Sequence, residues 1–164
     1  SNGLTGKKGS IFEGGHRVPF VAVWPGKIKK NSESDVAIFG HDMVATLAAL
    51  LEVGTDKTKV FDSANLLPVF KNESRKPVHQ YLMHASQASG GPFYSIREGN
   101  WKLIMKTEKR EKWNSLEVIG LYNLKESRVE SEENNRVKDA SQNSRIKRMS
   151  QKYLQLRMGL ASTL

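Results

Sequence analysis

Phe93-Tyr94-Ser95-Ile96-Arg97-Glu98-Gly99-Asn100-Trp101-Lys102-Leu103-Ile104-Met105-Lys106 is the stretch that decides the fold class of this chain. Two runs of alternating apolar and polar side chains flank a Gly-Asn turn, and a period of two sends successive side chains to opposite faces of a strand. The glycine supplies the positive φ that a tight hairpin connection needs. An antiparallel β-hairpin follows. Tyr81-Leu82-Met83 ahead of it and Leu121-Tyr122-Asn123-Leu124 behind it read as further short strands, so the expectation is a small antiparallel sheet of about four strands.

Downstream of the sheet, residues 126–143 carry many charges of both signs and few apolar groups, and read as a solvated connection. From Ser144 the pattern turns helical: Ile146, Met149, Tyr153 and Leu156 step by three, four and three residues among Arg145, Lys147, Arg148, Lys152 and Arg157. That spacing predicts an amphipathic helix laying its stripe on the sheet. A basic helix for a membrane surface or nucleic acid is the other reading of the same charges. Residues Thr107 to Val118 form a charged insertion between the hairpin and the last strand.

Upstream, Val18-Pro19-Phe20-Val21-Ala22-Val23-Trp24 is a nearly continuous apolar run closed by Pro25-Gly26, the pattern of a strand buried on both faces. Asp42 to Leu51 is predicted as a helix, with Met43, Val44, Leu47, Leu50 and Leu51 on one apolar face, Asp42 suited to its N-terminal end and Gly54 to its stop. The fold class is therefore α+β: a small antiparallel sheet with a packed C-terminal helix, preceded by a strand and a helix.

The 164 residues suffice for one ordinary domain or a piece of a larger one, and 38% apolar with 26% charged residues is the composition of a folded protein. A net charge of +9 favours anionic partners without choosing among them. With no cysteine, disulfides, thiolate metal sites and cysteine nucleophiles are excluded within the chain. No apolar stretch is long enough to span a bilayer, so no membrane partner is expected. The few aromatics sit in apolar runs and not among the basic residues, which argues against specific nucleic-acid binding.

Several ordered motifs together resemble the sulfatase family, arylsulfatase-type enzymes of the alkaline-phosphatase-like superfamily. Gly6-Lys7-Lys8-Gly9-Ser10-Ile11-Phe12-Glu13-Gly14-Gly15-His16-Arg17-Val18-Pro19-Phe20 and then Trp24-Pro25-Gly26 resemble the family's G-x-K-G-x-x-x-E-G-G-x-R-V-P-x and W-P-G. Asp42 to Leu50 is similar to D-x-x-x-T-L-A, and Asp62-Ser63-Ala64-Asn65-Leu66-Leu67-Pro68 to D-G-x-S-L-L-P, with Ser63 where the family has glycine. Ile96 to Ile104 matches I-R-x-G-x-W-K-L-I, and Leu121-Tyr122-Asn123-Leu124 matches L-Y-[DN]-L.

The resemblance implies the C-terminal portion of an enzyme that hydrolyses sulfate esters with a formylglycine and a calcium ion. It places both groups outside this chain, which has neither a cysteine nor a Ser-x-Pro-x-Arg motif and is expected to bind neither by itself. Residues 1–55 would end the large catalytic α/β domain, and 56–164 would form a C-terminal subdomain. By motif position, Lys8 is the sulfate-binding lysine, a cation able to neutralise the oxygens of a transferring sulfuryl group. Glu13 reads as a structural acceptor for backbone or Arg17, with general base as the alternative. His84, after a strand and before a glycine-containing loop, is a candidate for the substrate pocket or for hairpin packing. His16 occupies a variable position, with a structural or solvent-facing role; nothing singles out His41 or His79.

Implied partners are a sulfated small molecule or glycan and the missing N-terminal catalytic domain; the isolated chain is expected to be inactive. Two other functions stay open: a non-catalytic basic module for sulfated polysaccharide, and a fragment of a related phosphonate or phosphodiester hydrolase. The family is exported to periplasm, exterior or lysosome. Because the run at 18–24 would lack sheet neighbours, residues 1 to about 35 are expected to rearrange, become mobile or self-associate with a second copy.

Overall fold

The computed structural model describes residues 3–56, 62–87, 91–110 and 112–159. They fall into two compact units: one joins the residues up to Val18 with those from Tyr81 onward, and the other comprises Pro19–Gln80.

In the first unit, β1 (Tyr81–Ser86), β2 (Phe93–Glu98), β3 (Trp101–Lys106) and β4 (Glu117–Asn123) form one antiparallel sheet in the order β1-β2-β3-β4. Glu98 pairs with Trp101, which leaves Gly99 and Asn100 as the turn, and Gly99 takes the left-handed backbone (φ 56°) that this tight reversal requires. An irregularity between Ile104 and Met105 shifts the register against β4.

Alternation gives the sheet two faces. Tyr81, Tyr94, Ile96, Leu103, Met105 and Leu121 pack with Met149 and Tyr153 of α4 (Asn143–Arg157). Met149 and Tyr153 are buried, so the stripe read from the sequence is the docked face. Three cations of this helix lie over sheet-side rings, including Arg145 at 4.3 Å from the Trp101 centroid. Ile104, Tyr122 and Leu124 point to the opposite face, where Ile11 and Phe12 of the N-terminal loop cover them.

The polar loop after β4 is more than a solvated link. Asn135 accepts from Leu121 N–H and donates to the Ile119 carbonyl, which satisfies part of the sheet edge. Glu130 from the same loop is buried. Of the flexible segment expected between β1 and β2, residues 88–90 lie outside the described ones.

The second unit contains α2 (Asp42–Leu50) and the one-turn α3 (Leu67–Phe70). Asp42 accepts from the backbone N–H groups of Phe39 and Ala64, and Thr46 Oγ1 donates to the Asp42 carbonyl and accepts from Leu66 N–H. Ser63, in the family's glycine position, donates to the His41 carbonyl and accepts from Ala45 N–H. Its hydroxyl therefore ties the turn to the start of α2.

Two local expectations are corrected here. The run at 18–24 forms no strand, and Val18, Val21 and Val23 are 78%, 83% and 81% exposed. A strand needs ladder partners, and none of the described residues pairs with it. The apolar face expected to bury α2 is open as well, since Val44, Leu47, Leu50 and Leu51 are exposed; the buried residues of this helix are Asp42 and Thr46. Hydrogen bonding, not apolar burial, anchors it.

Candidate active-site loop and its ionic support

The loop from Gly3 to Val18 is shaped by glycine. Gly6 and Gly9 adopt positive φ of 81° and 85°. Gly15 is crowded: a Cβ there would meet the Ser10 carbonyl oxygen at 2.1 Å. Ser10 N–H donates to the Lys7 carbonyl at 2.9 Å, Gly9 N–H to the Gly15 carbonyl at 3.4 Å, and Ser86 Oγ donates to the Gly9 carbonyl. Lys8 thus projects from a turn whose backbone is closed on both sides. It is exposed and makes no hydrogen bond or ion pair among the described residues.

The short helix α1 (Glu13–His16) follows. Glu13 is 1% exposed and is met by a buried lysine from the sheet. Lys102 Nζ donates to Glu13 Oε1 at 3.0 Å and to the Ile11 carbonyl at 2.9 Å, and lies 2.7 Å from Glu130 Oε1. Glu130 returns the connection by accepting Glu13 N–H at 2.7 Å. Arg17 Nε donates to the second oxygen of Glu13 at 2.5 Å, and Arg97 Nη1 stands 3.9 Å from that oxygen. Position 102 reads as an ordinary outward lysine, but alternation puts it on the loop-covered face with Ile104.

These charges set the protonation states. Burial alone would raise the Glu13 carboxyl, but the Lys102 ammonium, with Arg17, holds it at about 2. Glu13 is therefore an ionised structural acceptor, as one of its two readings had it, and a general base at this position would have to give up two cations. The Glu130 carboxyl goes up, because its burial outweighs the attraction of Lys102.

His84, on β1, stacks on His16 with ring centroids 3.8 Å apart and planes 19° from parallel. Its neighbour on the same strand face, Ser86, is the residue that holds Gly9. Burial, then the nearby Lys102, lowers His16 to about 4; burial, then His16 and Lys102, lowers His84 to about 3. Both rings are neutral at physiological pH, so they offer one N–H and one lone pair each and no charge. The structure brings His84 together with His16 and, through Ser86, with the turn that carries Lys8. No contact joins Lys8 to His84 among the described residues.

Lys102, Arg97 and Glu130 were not singled out from the sequence as members of this cluster. The lysine and arginine lay within the hairpin motif, so their strand parity was the usable signal. For Glu130, in a loop rich in carboxylates, there was none.

Chemically, the arrangement can present the exposed Lys8 ammonium to an anion from a hydrogen-bonded turn, and the same unit holds the stacked His16–His84 pair.

The sequence matches the family described as N-sulphoglucosamine sulphohydrolase, C-terminal, over residues 5–159. It is 31% identical to human arylsulfatase G over 90 residues, which covers 55% of this chain and 17% of that protein. With human steryl-sulfatase it shares 30% identity over 89 residues, 54% of the chain and 15% of the relative. With the N-acetylgalactosamine-6-O-sulfatase of Bacteroides thetaiotaomicron it shares 32% over 119 residues, 69% and 22%. The chain thus spans a fifth or so of the length of these relatives. The solved structure of BT4656 in complex with its substrate D-glucosamine-2-N, 6-O-disulfate superposes with a TM-score of 0.62 at 22% identity, over 80% of this chain and 26% of that one.

Proposed function

Because the chain belongs to the N-sulphoglucosamine sulphohydrolase C-terminal family, we propose that it is the C-terminal part of a sulfuric ester hydrolase and contributes Lys8 to sulfate binding. The carrying observation is the placement of Lys8, an exposed ammonium on a turn closed by Gly15 and Ser86. A cation carried close to where negative charge develops stabilises it, and the hydrogen-bonded turn sets where the Lys8 side chain starts. His84 then borders the organic portion of the substrate, which its neutral ring suits.

In this reading residues 1–55 close the catalytic α/β domain and 56–164 form the C-terminal subdomain. The substrate class is a sulfated sugar or other sulfate ester, in keeping with the family's description and with the sulfated glucosamine bound by BT4656. The whole enzyme would act in periplasm, exterior or lysosome. No helix among the described residues is long and apolar enough to cross a membrane.

Formylglycine and calcium belong to the remainder of the enzyme. The chain has no cysteine to convert. Calcium takes six to eight oxygen ligands, and the one cluster of potential ligands among the described residues is two imidazoles with a single carboxylate. The residues present do not suit calcium, and no step is routed through it.

The test is Lys8→Ala in the full-length enzyme, assayed with an aryl sulfate and a sulfated glucosamine. A fall in kcat/KM of about 100-fold or more is expected from loss of one such charge contact. Turnover equal to wild type would overturn the assignment. In the same assay His84→Ala should raise KM for the sugar more than for the aryl ester. A preference for phosphonate or phosphodiester substrates would favour the related hydrolases.

A further inference from the structure

The second unit holds a cluster that the sulfatase reading does not use. His41, Asp42 and His79 each offer one ligand atom, and the three atoms lie within 4.8 Å of one another. We propose that this cluster is a binding site for a borderline divalent transition-metal ion of the zinc type.

The donor set points to that class. Two imidazole nitrogens and one carboxylate suit zinc and its neighbours, whereas calcium and magnesium ask for oxygens alone. Around a tetrahedral zinc with bonds of roughly 2.0–2.1 Å, ligand atoms stand about 3.3 Å apart. Here His79 Nε2 lies 2.9 Å from both oxygens of Asp42, and His41 Nε2 lies 3.9 Å from Oδ1. These spacings bracket the required one, and with all three ligand atoms within 4.8 Å of one another the site closes by side-chain adjustment.

The surroundings hold two of the three ligands in place. Asp42 is fixed by the N–H groups of Phe39 at 2.7 Å and Ala64 at 2.9 Å, the kind of outer support that orients a ligating carboxylate. Phe39 stacks on His41 at 4.8 Å and meets His79 edge-on at 5.2 Å, so one aromatic ring backs both imidazoles. Asp42 and His79 are buried and His41 is exposed. That leaves a preformed inner pair and a solvent-facing outer ligand, on whose side water can take the fourth position.

Two exchanges accompany binding. His41 Nε2 gives up the Asp62 carbonyl, 3.0 Å away at the surface. The proton by which His79 Nε2 bonds to Asp42 moves to Nδ1, a buried nitrogen with no hydrogen-bond partner among the described residues. A ligating histidine normally donates that second N–H to an acceptor, and loss of such support weakens binding by about 10–100-fold. The site is accordingly an exchangeable one, not a structural zinc centre.

The test is equilibrium dialysis of the chelator-treated 164-residue chain against Zn²⁺ alone, with Co²⁺ as a spectroscopic substitute. One Zn²⁺ per chain and a visible Co²⁺ spectrum of low-coordinate type are expected. His41→Ala, which leaves the buried Asp42–His79 pair intact, should weaken binding at least tenfold while the metal-free unfolding midpoint stays put. His16→Ala/His84→Ala, in the other unit, should bind as wild type. Equal binding by His41→Ala, or loss of the ion only in the His16/His84 variant, would overturn the proposal. Neither result bears on Lys8.

Discussion

Lys102 Nζ sits 2.7 Å from Glu130 Oε1, with the two side chains 1% and 0% exposed, although one belongs to a central strand and the other to a loop of mixed charge. This contact, completed by Glu13, joins sheet, post-sheet loop and N-terminal loop at a single buried point. Lys102→Met would leave Glu130 without its cation and Glu13 with its arginines alone. Breaking a buried pair from one side costs about 3–5 kcal/mol, so urea denaturation should show a loss of that order. Glu130→Gln should cost less, because burial already works against the charge there. A Lys102→Met chain within about 1 kcal/mol of wild type would show that the cluster is not the support of the loop.

The Glu98–Arg148 pair provides the opposite case. Its two hydrogen bonds are each 2.6 Å, shorter than most in the buried cluster, yet both side chains are partly exposed. Water and salt screen such a pair, and Arg148→Ala should change stability by less than about 1 kcal/mol. Comparing it with Lys102→Met in the same denaturant series separates bond length from burial as the source of stability.

Acid should weaken the first unit well before general carboxylate protonation. His16 and His84 titrate near 6.5 when unfolded but at about 4 and about 3 when folded. Below 6.5 the unfolded chain therefore binds more protons, and stability falls as pH falls toward 3. Glu13, depressed to about 2, adds the same sign below 4.5. Glu130, raised, has the opposite sign: its contribution is present at low pH and lost as pH rises through its folded value. Stability measured in urea between about pH 7 and about pH 5 should decline in wild type, and the slope should flatten in His16→Asn/His84→Asn. An unchanged slope would mean that the stacked rings are not neutral in the fold.

Gly15→Ala should deform the Lys8 turn, because the new methyl group would stand 2.1 Å from a backbone oxygen. Destabilisation of about 2 kcal/mol or more is expected from such overpacking. Gly54→Ala meets nothing within 4 Å and has no strained φ, so it should stay within about 0.5 kcal/mol of wild type. Thermal unfolding of the two variants side by side is the check, and equal midpoints would contradict the steric reading.

Local patterning was enough for the sheet and for α4. Alternation over Phe93–Lys106, a Gly-Asn turn and the stripe Ile146, Met149, Tyr153 and Leu156 are short-range signals, because side-chain direction in strands and helices follows directly from backbone geometry. The ordered motifs pointed to the family, which residues 5–159 match; the roles of Lys8, read from its motif position, and His84, read from its place between a strand and a loop, are proposals. Tertiary structure decided what those signals could not carry. The run at 18–24 has strand composition but no strand, since a ladder needs a partner that composition does not supply. Glu130 is one of several carboxylates in its loop, and only the fold brings it to Lys102 and Glu13. His41 and His79 are 38 residues apart in number, and they meet at Asp42 because the backbone at Ala64 and the His79 side chain both bond to its carboxylate. Burial and charge pairing are properties of residues distant in the chain, and they come into being only when it folds.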